Sequence, residues 1–283
     1  MSKVNRDAII TSLCEHHPWI AERFDKVVDL FSECQTDSQI LLTKDLLSRF
    51  LYVDEKLRND LYSRMTDYIV SVYNETTAIT SMSFGADLDS GSRILDDLKV
   101  PLYVRGLRDI KAVSRIDDLL PRKKRKTKFT ECNKLIVVDE FCGSGQTIAG
   151  RIKLIHEKRP EIEQIHFCIM AGMQYSLEML RKKFSDVYFF FATELQRGIL
   201  ENYMGDELTY MIQTMLIMES SLSEKVRNEY LKKYSMGYGN AQSLISFGEM
   251  RNIPNSVFPW FWWQLNAQGM RRNNLFTRYE NGL

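Results

Sequence analysis

Cysteine is scarce in this chain and never patterned. The five residues (Cys14, Cys34, Cys132, Cys142, Cys168) are odd in number, scattered and form no Cys-x-x-Cys, which argues against both a disulfide framework and a zinc ribbon. Reduced thiols are expected. A charge excess of either sign is also missing. Lys and Arg number 38 against 37 Asp and Glu, a net +1, so any pull on nucleic acid or anionic lipid has to be local. No apolar run approaches the length of a membrane span, and the opening Met-Ser-Lys-Val-Asn-Arg-Asp lacks the apolar centre of a secretory signal. The expectation is a cytoplasmic protein with no membrane partner. Two nucleotide-binding patterns are absent as well: the Gly-x-Gly-x-x-Gly of dinucleotide folds and the Gly-Lys-Ser/Thr that ends a P-loop.

What is present is ordinary globular composition, 44% hydrophobic and 27% charged over 283 residues, enough for one substantial core or two modest ones. One stretch organises the rest. From Leu135 the chain reads Leu-Ile-Val-Val-Asp-Glu-Phe-Cys-Gly-Ser-Gly-Gln-Thr, which is a buried-strand run, an acidic pair that ends it, a small-residue turn and then a helical pattern. The unpaired N–H groups and positive dipole end of a helix start favour an anion, and Gly143 and Gly145 let the backbone approach one. Ser144 and Thr147 add hydroxyl donors. Asp139 and Glu140, at the strand's carboxyl end, can accept hydrogen bonds from a sugar diol.

These residues resemble the phosphoribosyl diphosphate signature of type I phosphoribosyltransferases: four hydrophobic residues, two acids, two variable residues and a small Gly/Ser/Thr loop. The resemblance implies that Asp139 and Glu140 hold the ribose 2′- and 3′-hydroxyls, touching Mg²⁺ only indirectly through the sugar, and that Cys142, Gly143, Ser144, Gly145, Gln146 and Thr147 wrap the 5′-phosphate. It also implies a pyrophosphate loop after the first core strand. Phe84, Gly85, Gly91 and Ser92 occupy that stretch, and Arg93 can add a charge, although Asp87 and Asp89 there would repel pyrophosphate unless Mg²⁺ bridges them. Where purine-salvage members carry an acid that serves as a base for the purine ring, this chain has Gly143, which disfavours hypoxanthine or guanine salvage.

In chain order, Asp7 to Tyr73 is helical throughout, with apolar residues at three-to-four spacing; Pro18 suits a helix start and Thr36-Asp37-Ser38 a cap. His16 and His17 read as a surface turn. Three or four amphipathic helices are expected, forming a subdomain over residues 1–74. A strand over Thr76–Thr80, a short helix over Ser92–Leu98 and a short strand over Pro101–Val104 follow. Beyond Val104 the charge shifts: Arg105 to Lys128 holds ten Lys or Arg against three Asp. This segment reads as a mobile basic loop closing over the diphosphate, as a nucleic-acid contact, or as a solvated loop. Arg105 and Arg108, near the expected strand end, are the better diphosphate candidates within it. After the signature come a helix over Thr147–Lys158, strands over Gln164–Ala171 and Val187–Ala192 and a helix over Ser176–Phe184, the alternation of a parallel sheet. His166 reads as a satisfied or surface histidine and Cys168 as core. Cys142, read as lying at a helix amino terminus where thiol pKa falls, is a weak candidate nucleophile.

Residues Thr193 to Tyr234 read as helical. The block that follows, Met236-Gly-Tyr-Gly-Asn240, a strand-like Ser243–Phe247 and the Asn252 to Trp263 run, resembles the tail of phosphoribosyltransferase-like domains of bacterial conflict systems, including retron-type anti-phage cassettes. Tyr238, between two glycines, reads as a mobile aromatic that can stack on a base, and Asn240 as a hydrogen-bonding partner; the three tryptophans of the run read as buried. Together the resemblances imply an α/β fold with a parallel-sheet phosphoribosyltransferase-like core over residues 75–263, the helical amino-terminal subdomain, and a helical and aromatic extension ending in a tail over 264–283. The implied function is an effector that binds phosphoribosyl diphosphate or a nucleotide with Mg²⁺ and transfers or cleaves at the anomeric carbon. Reverse transcriptase and noncoding RNA or DNA are the implied cassette partners, with homo- or hetero-oligomers open. A non-catalytic module that binds a protein or structured nucleic acid through the helices and basic segment is the competing reading.

Overall fold

The computed structural model describes residues 4–84, 90–121 and 129–279. It divides into two units, Met1–Asp54 with Gln196–Leu283 and Glu55–Leu195, a grouping that departs from boundaries at 74 and 263. The reason is where the aromatics go. Phe258, Trp260, Phe261, Trp262 and Trp263 bury themselves in one core with Trp19, Phe31 and Phe50, so the tail and the first helices share an interior.

That first unit carries α1 (Arg6–His16), α2 (Pro18–Ala21), α3 (Phe24–Ser32) and α4 (Asp37–Ser48), then β1 (Leu51–Tyr52). Asn5 caps α1 through its side-chain oxygen, Pro18 opens α2, and Thr36 caps α4 by accepting from Gln39 N. Trp19 stacks on Tyr52 at 5.3 Å and on Phe276 at 5.8 Å, which ties the start of the chain to its end.

The second unit opens with α5 (Glu55–Val72) and continues as β2 (Thr77–Ser81), α6 (Ser90–Val104), β3 (Lys111–Val113), β4 (Lys134–Cys142), α7 (Gln146–Lys158), β5 (Gln164–Met173), α8 (Gln174–Lys183) and β6 (Val187–Leu195). Its five strands form one parallel sheet in the order β3-β2-β4-β5-β6, as expected for an α/β core. Leu135 to Val138 are wholly buried, the apolar run of a strand covered on both faces. Ile148, Ile152 and Ile155 form the inner face of α7.

Three local expectations are corrected. Residues 101–104 are the last turn of α6, not a strand; Pro101 removes one helical hydrogen bond, but the buried Leu98 and Leu102 on the inner side carry the helix past it. The acidic pair does not end β4, which pairs with β5 as far as Cys142. Of 193–234, only α9 (Gly205–Ser220) is α-helical; β7 (Lys225–Val226) and β8 (Glu229–Tyr230) then form a small hairpin, and β9 (Ile245–Ser246) is all the strand that 243–247 supplies, pairing with β1.

Candidate active site

In a parallel sheet all strands end at one edge, and a crevice opens where the chain reverses its direction of travel across the sheet. Here β2 is followed outward by β3, and the chain then returns to the other side of β2 to lay down β4. The carboxyl ends of β2 and β4 therefore flank the switch point. The signature stands at one of them and the segment after β2 at the other.

Asp139 and Glu140 are each 8% exposed at the end of β4. Asp139 Oδ1 accepts from Glu140 N at 2.8 Å, which turns that carboxylate back on its own strand end. The turn that follows is shaped by Gly145, whose φ of 75° lies in the left-handed region and whose absent side chain leaves room for Met179. Ser176, at the start of α8, donates to the carbonyl of Gly143. Gly143 and Ser144 are half-buried, and Gln146 and Thr147 at the first turn of α7 are exposed. Amide N–H groups, two hydroxyls and a helix start thus gather beside two carboxylates, the donor and acceptor set that a sugar phosphate needs.

Across the switch point a run of hydroxyls fixes the other wall. Ser81 Oγ donates to Ser83 Oγ at 2.7 Å, Ser83 Oγ lies 2.9 Å from Ser92 Oγ, and Ser92 Oγ donates to the Ser114 carbonyl at 3.2 Å. This stitches the end of β2 to the first turn of α6 and to the segment after β3. Met82 N donates to the Val138 carbonyl at 3.0 Å, continuing the pairing with β4 past the end of β2. Phe84 is exposed, with the Arg151 guanidinium of α7 4.5 Å from its ring centre, so the two walls meet there. Gly91 is buried, and Arg93 is exposed. Gly85, like Asp87, Asp89 and the basic run Arg122 to Lys128, lies outside the described residues.

Arg105 and Arg108 are not brought to this crevice. Because 101–104 is helix, both follow the end of α6 and precede the start of β3, which is the opposite edge of the sheet. The backbone there confirms it: Tyr73 Oη donates to the Asp109 carbonyl and Lys111 Nζ to the Glu75 carbonyl, both just ahead of β2. Arg105 Nε binds Asp67 at 2.6 Å. A 590 Å³ cavity beside it, bounded by Arg58, Tyr62, Asp97 and Arg105, includes no signature residue.

Cys142 departs from expectation too. It sits inside the sheet, 3% exposed, with its register partner Gly172 on β5, and burial, aided by the Asp139 charge, pushes its thiol up to about 12. Such a thiol is not a nucleophile. Tyr238 and Asn240 belong to the other unit. The Gly-Tyr-Gly segment is pinned rather than mobile: a Cβ on Gly237 would stand 2.0 Å from the Ser256 carbonyl oxygen, Tyr238 N donates to the Asn255 carbonyl, and the half-buried Tyr238 ring lies 6.2 Å from Tyr234. Exposed Asn240 accepts from Gln242 Nε2 at 3.1 Å. Reading the sequence missed Ser83, Ser176 and Arg151; a lone serine or arginine on a helix or loop carries no pattern to find it by.

Residues 20–278 match the PRTase-CE family. The chain belongs to that family. No curated protein matches. Among solved structures, the PRTase-CE chain overlaps an orotate phosphoribosyltransferase from Aeropyrum pernix (10% identity, 50% of this chain and 72% of that one, TM-score 0.34). It also overlaps the Helicobacter pylori xanthine-guanine-hypoxanthine phosphoribosyltransferase (12%, 52% and 85%, 0.33) and the AQ2163 protein from Aquifex aeolicus (11%, 60% and 93%, 0.34). Overlaps this weak assign nothing to individual residues. The family is phosphoribosyltransferase-like. Among the described residues no helix is long and apolar enough to cross a membrane.

Proposed function

We propose that this PRTase-CE chain binds phosphoribosyl diphosphate or a nucleotide at the switch point between β2 and β4 and transfers or cleaves at the ribose anomeric carbon. One observation carries the reading: an acidic pair near the carboxyl end of a central strand lies two residues before a glycine-shaped turn that opens a helix, at the crevice where parallel sheets take ligands. Asp139 and Glu140 accept hydrogen bonds from the ribose hydroxyls and fix the ring. The Gly143 to Thr147 turn holds the 5′-phosphate through backbone N–H groups and the hydroxyls of Ser144 and Thr147. With the sugar held at both ends, the anomeric carbon faces the acceptor, and positioning and electrostatics supply most of the rate. Gly143 has no side chain to take a proton from an acceptor, so that proton leaves by another route. Two carboxylates suit an ion carried mainly by substrate oxygens; Mg²⁺, held by the diphosphate and the ribose hydroxyls that Asp139 and Glu140 contact, would neutralise the leaving group.

Calorimetry with phosphoribosyl diphosphate and Mg²⁺ tests the site. Wild type should bind, and Asp139→Asn/Glu140→Gln should bind at least roughly tenfold more weakly, about 1.4 kcal/mol. No binding by wild type, or equal binding by both, overturns the assignment. The similarity of the Met236 to Trp263 block to conflict-system proteins supports a role as an effector of an anti-phage or toxin cassette of retron type. Loss of phage protection on Asp139→Asn/Glu140→Gln, in cells carrying the cassette's reverse transcriptase and noncoding RNA, is the expected result; full protection by that variant speaks for the non-catalytic reading instead.

A further inference from the structure

A second cavity, of about 600 Å³, is lined by residues of the unit formed by the first helices and the tail, and among the described residues five cationic side chains but no acidic one line it. Two of the five have structural duties. Buried Arg272 binds the Glu33 carboxylate at 2.7 Å and the carbonyls of Trp260 and Trp263 at 3.0 and 2.9 Å, and Arg278 donates to the Ile253 carbonyl at 2.7 Å. The other three, Lys26, Arg227 and Arg271, make no hydrogen bond or ion pair with any described residue.

They come from separate parts of the chain. Lys26 is on α3, Arg227 is at the turn of the β7–β8 hairpin, and Arg271 pairs with Leu265 across a turn held by Asn266, whose Oδ1 accepts from Gln268 N and Met270 N. Arg227 has a φ of 54°, a conformation that costs a non-glycine residue roughly 1–2 kcal/mol. Three like charges facing one concavity repel one another, and among the described residues no acidic side chain lines the cavity to compensate them. An anion does.

The volume falls in the range of small-molecule sites, about 300–1,000 Å³, and the free cations converge on one hollow instead of running along a stripe, as a nucleic-acid track requires. We propose that this cavity binds a polyphosphate anion, its phosphates on Lys26, Arg227 and Arg271. The site is independent of the crevice at β2 and β4.

Calorimetry on the full chain at about 0.1 M salt, with ATP, inorganic triphosphate and a short single-stranded oligonucleotide as probes, tests it. Lys26→Gln/Arg227→Gln/Arg271→Gln changes side chains that hold no described residue in place, so circular dichroism should show an unaltered fold. Wild type should bind inorganic triphosphate, the triple variant should lose at least roughly tenfold in affinity, and Asp139→Asn/Glu140→Gln should retain it. The proposal is overturned if wild type does not bind inorganic triphosphate or the triple variant binds it equally. Loss of binding in the acidic-pair variant, or the oligonucleotide binding more tightly than ATP and inorganic triphosphate, overturns it as well.

Discussion

The hydroxyl of Ser176, on the first turn of α8, donates a hydrogen bond to the carbonyl of Gly143 in the turn after β4. A residue 33 positions downstream thereby holds the shape of the proposed phosphate cradle. Ser176 is fully buried, so Ser176→Ala leaves a carbonyl without its donor, a loss of about 1–3 kcal/mol. Urea unfolding should show that loss, and phosphoribosyl diphosphate affinity should fall with it. If stability drops while affinity is unchanged, the cradle does not depend on this bond.

Gly237 is a second point where one atom decides. Its φ of 76° with ψ of 142°, a combination that in practice only glycine adopts, and the Ser256 carbonyl oxygen 2.0 Å from where a Cβ would stand add two penalties in Gly237→Ala: about 1–3 kcal/mol for the backbone and roughly 1–3 kcal/mol for overpacking. Gly269 shares the same φ but has open space around it, so Gly269→Ala carries a backbone penalty alone. Thermal unfolding should therefore rank wild type above Gly269→Ala and that above Gly237→Ala. Equal losses in the two variants would mean that Ser256 moves aside freely.

The parts of this fold that showed in the sequence are those whose physics is local. β4 reads as a continuous apolar run because both its faces are covered, and α7 as a 3.6-residue repeat because only one face is. The alternation of such elements leads to the parallel sheet, and with it to the strand end that carries the acids. Pro101–Val104 misleads because Leu-Tyr-Val after a proline looks like an edge strand, and the helix there is sustained by the buried Leu98 and Leu102, not by local preference. That single error moved Arg105 and Arg108 to the wrong edge. The aromatic run at 258–263 announces burial but not its partners, since packing on Trp19 and Phe50 spans more than two hundred residues. Which side of the sheet edge Cys142 falls on depended on two further residues of pairing with β5, which no spacing encodes.

The thiol of Cys142 supplies a direct chemical check. Held near 12 by burial, it should resist iodoacetamide at pH 8 in the folded protein, whereas the half-buried Cys14 reacts first. In denaturant Cys142 should label with the others. Rapid native labelling of Cys142, read by peptide mass, would restore it as a candidate nucleophile.

Glu219 governs a pH dependence of opposite sense to the usual carboxylate. It is 3% exposed on α9, and burial raises its pKa from 4.5 to about 7, outweighing the hydrogen bonds it accepts from Ser235 Oγ and Met236 N. A carboxyl whose folded pKa lies above its unfolded one binds its proton more tightly when folded. Its contribution is fully present below about pH 4.5 and is lost as pH rises through about 7, on the order of 3 kcal/mol in all. His166 acts on the other limb: burial holds it at about 4, so its contribution is present above about pH 6.5 and is lost as pH falls toward 4. Subtracting a variant isolates the first effect from the second. Glu219→Gln can accept from Met236 N through Oε1 and donate from Nε2 to Ser235 Oγ, and it has no charge to bury. Urea unfolding should find it more stable than wild type at pH 8 by roughly 1–3 kcal/mol, with the difference closing by about pH 4.5. A difference that is constant across that range would show that the buried carboxyl does not titrate in the folded protein.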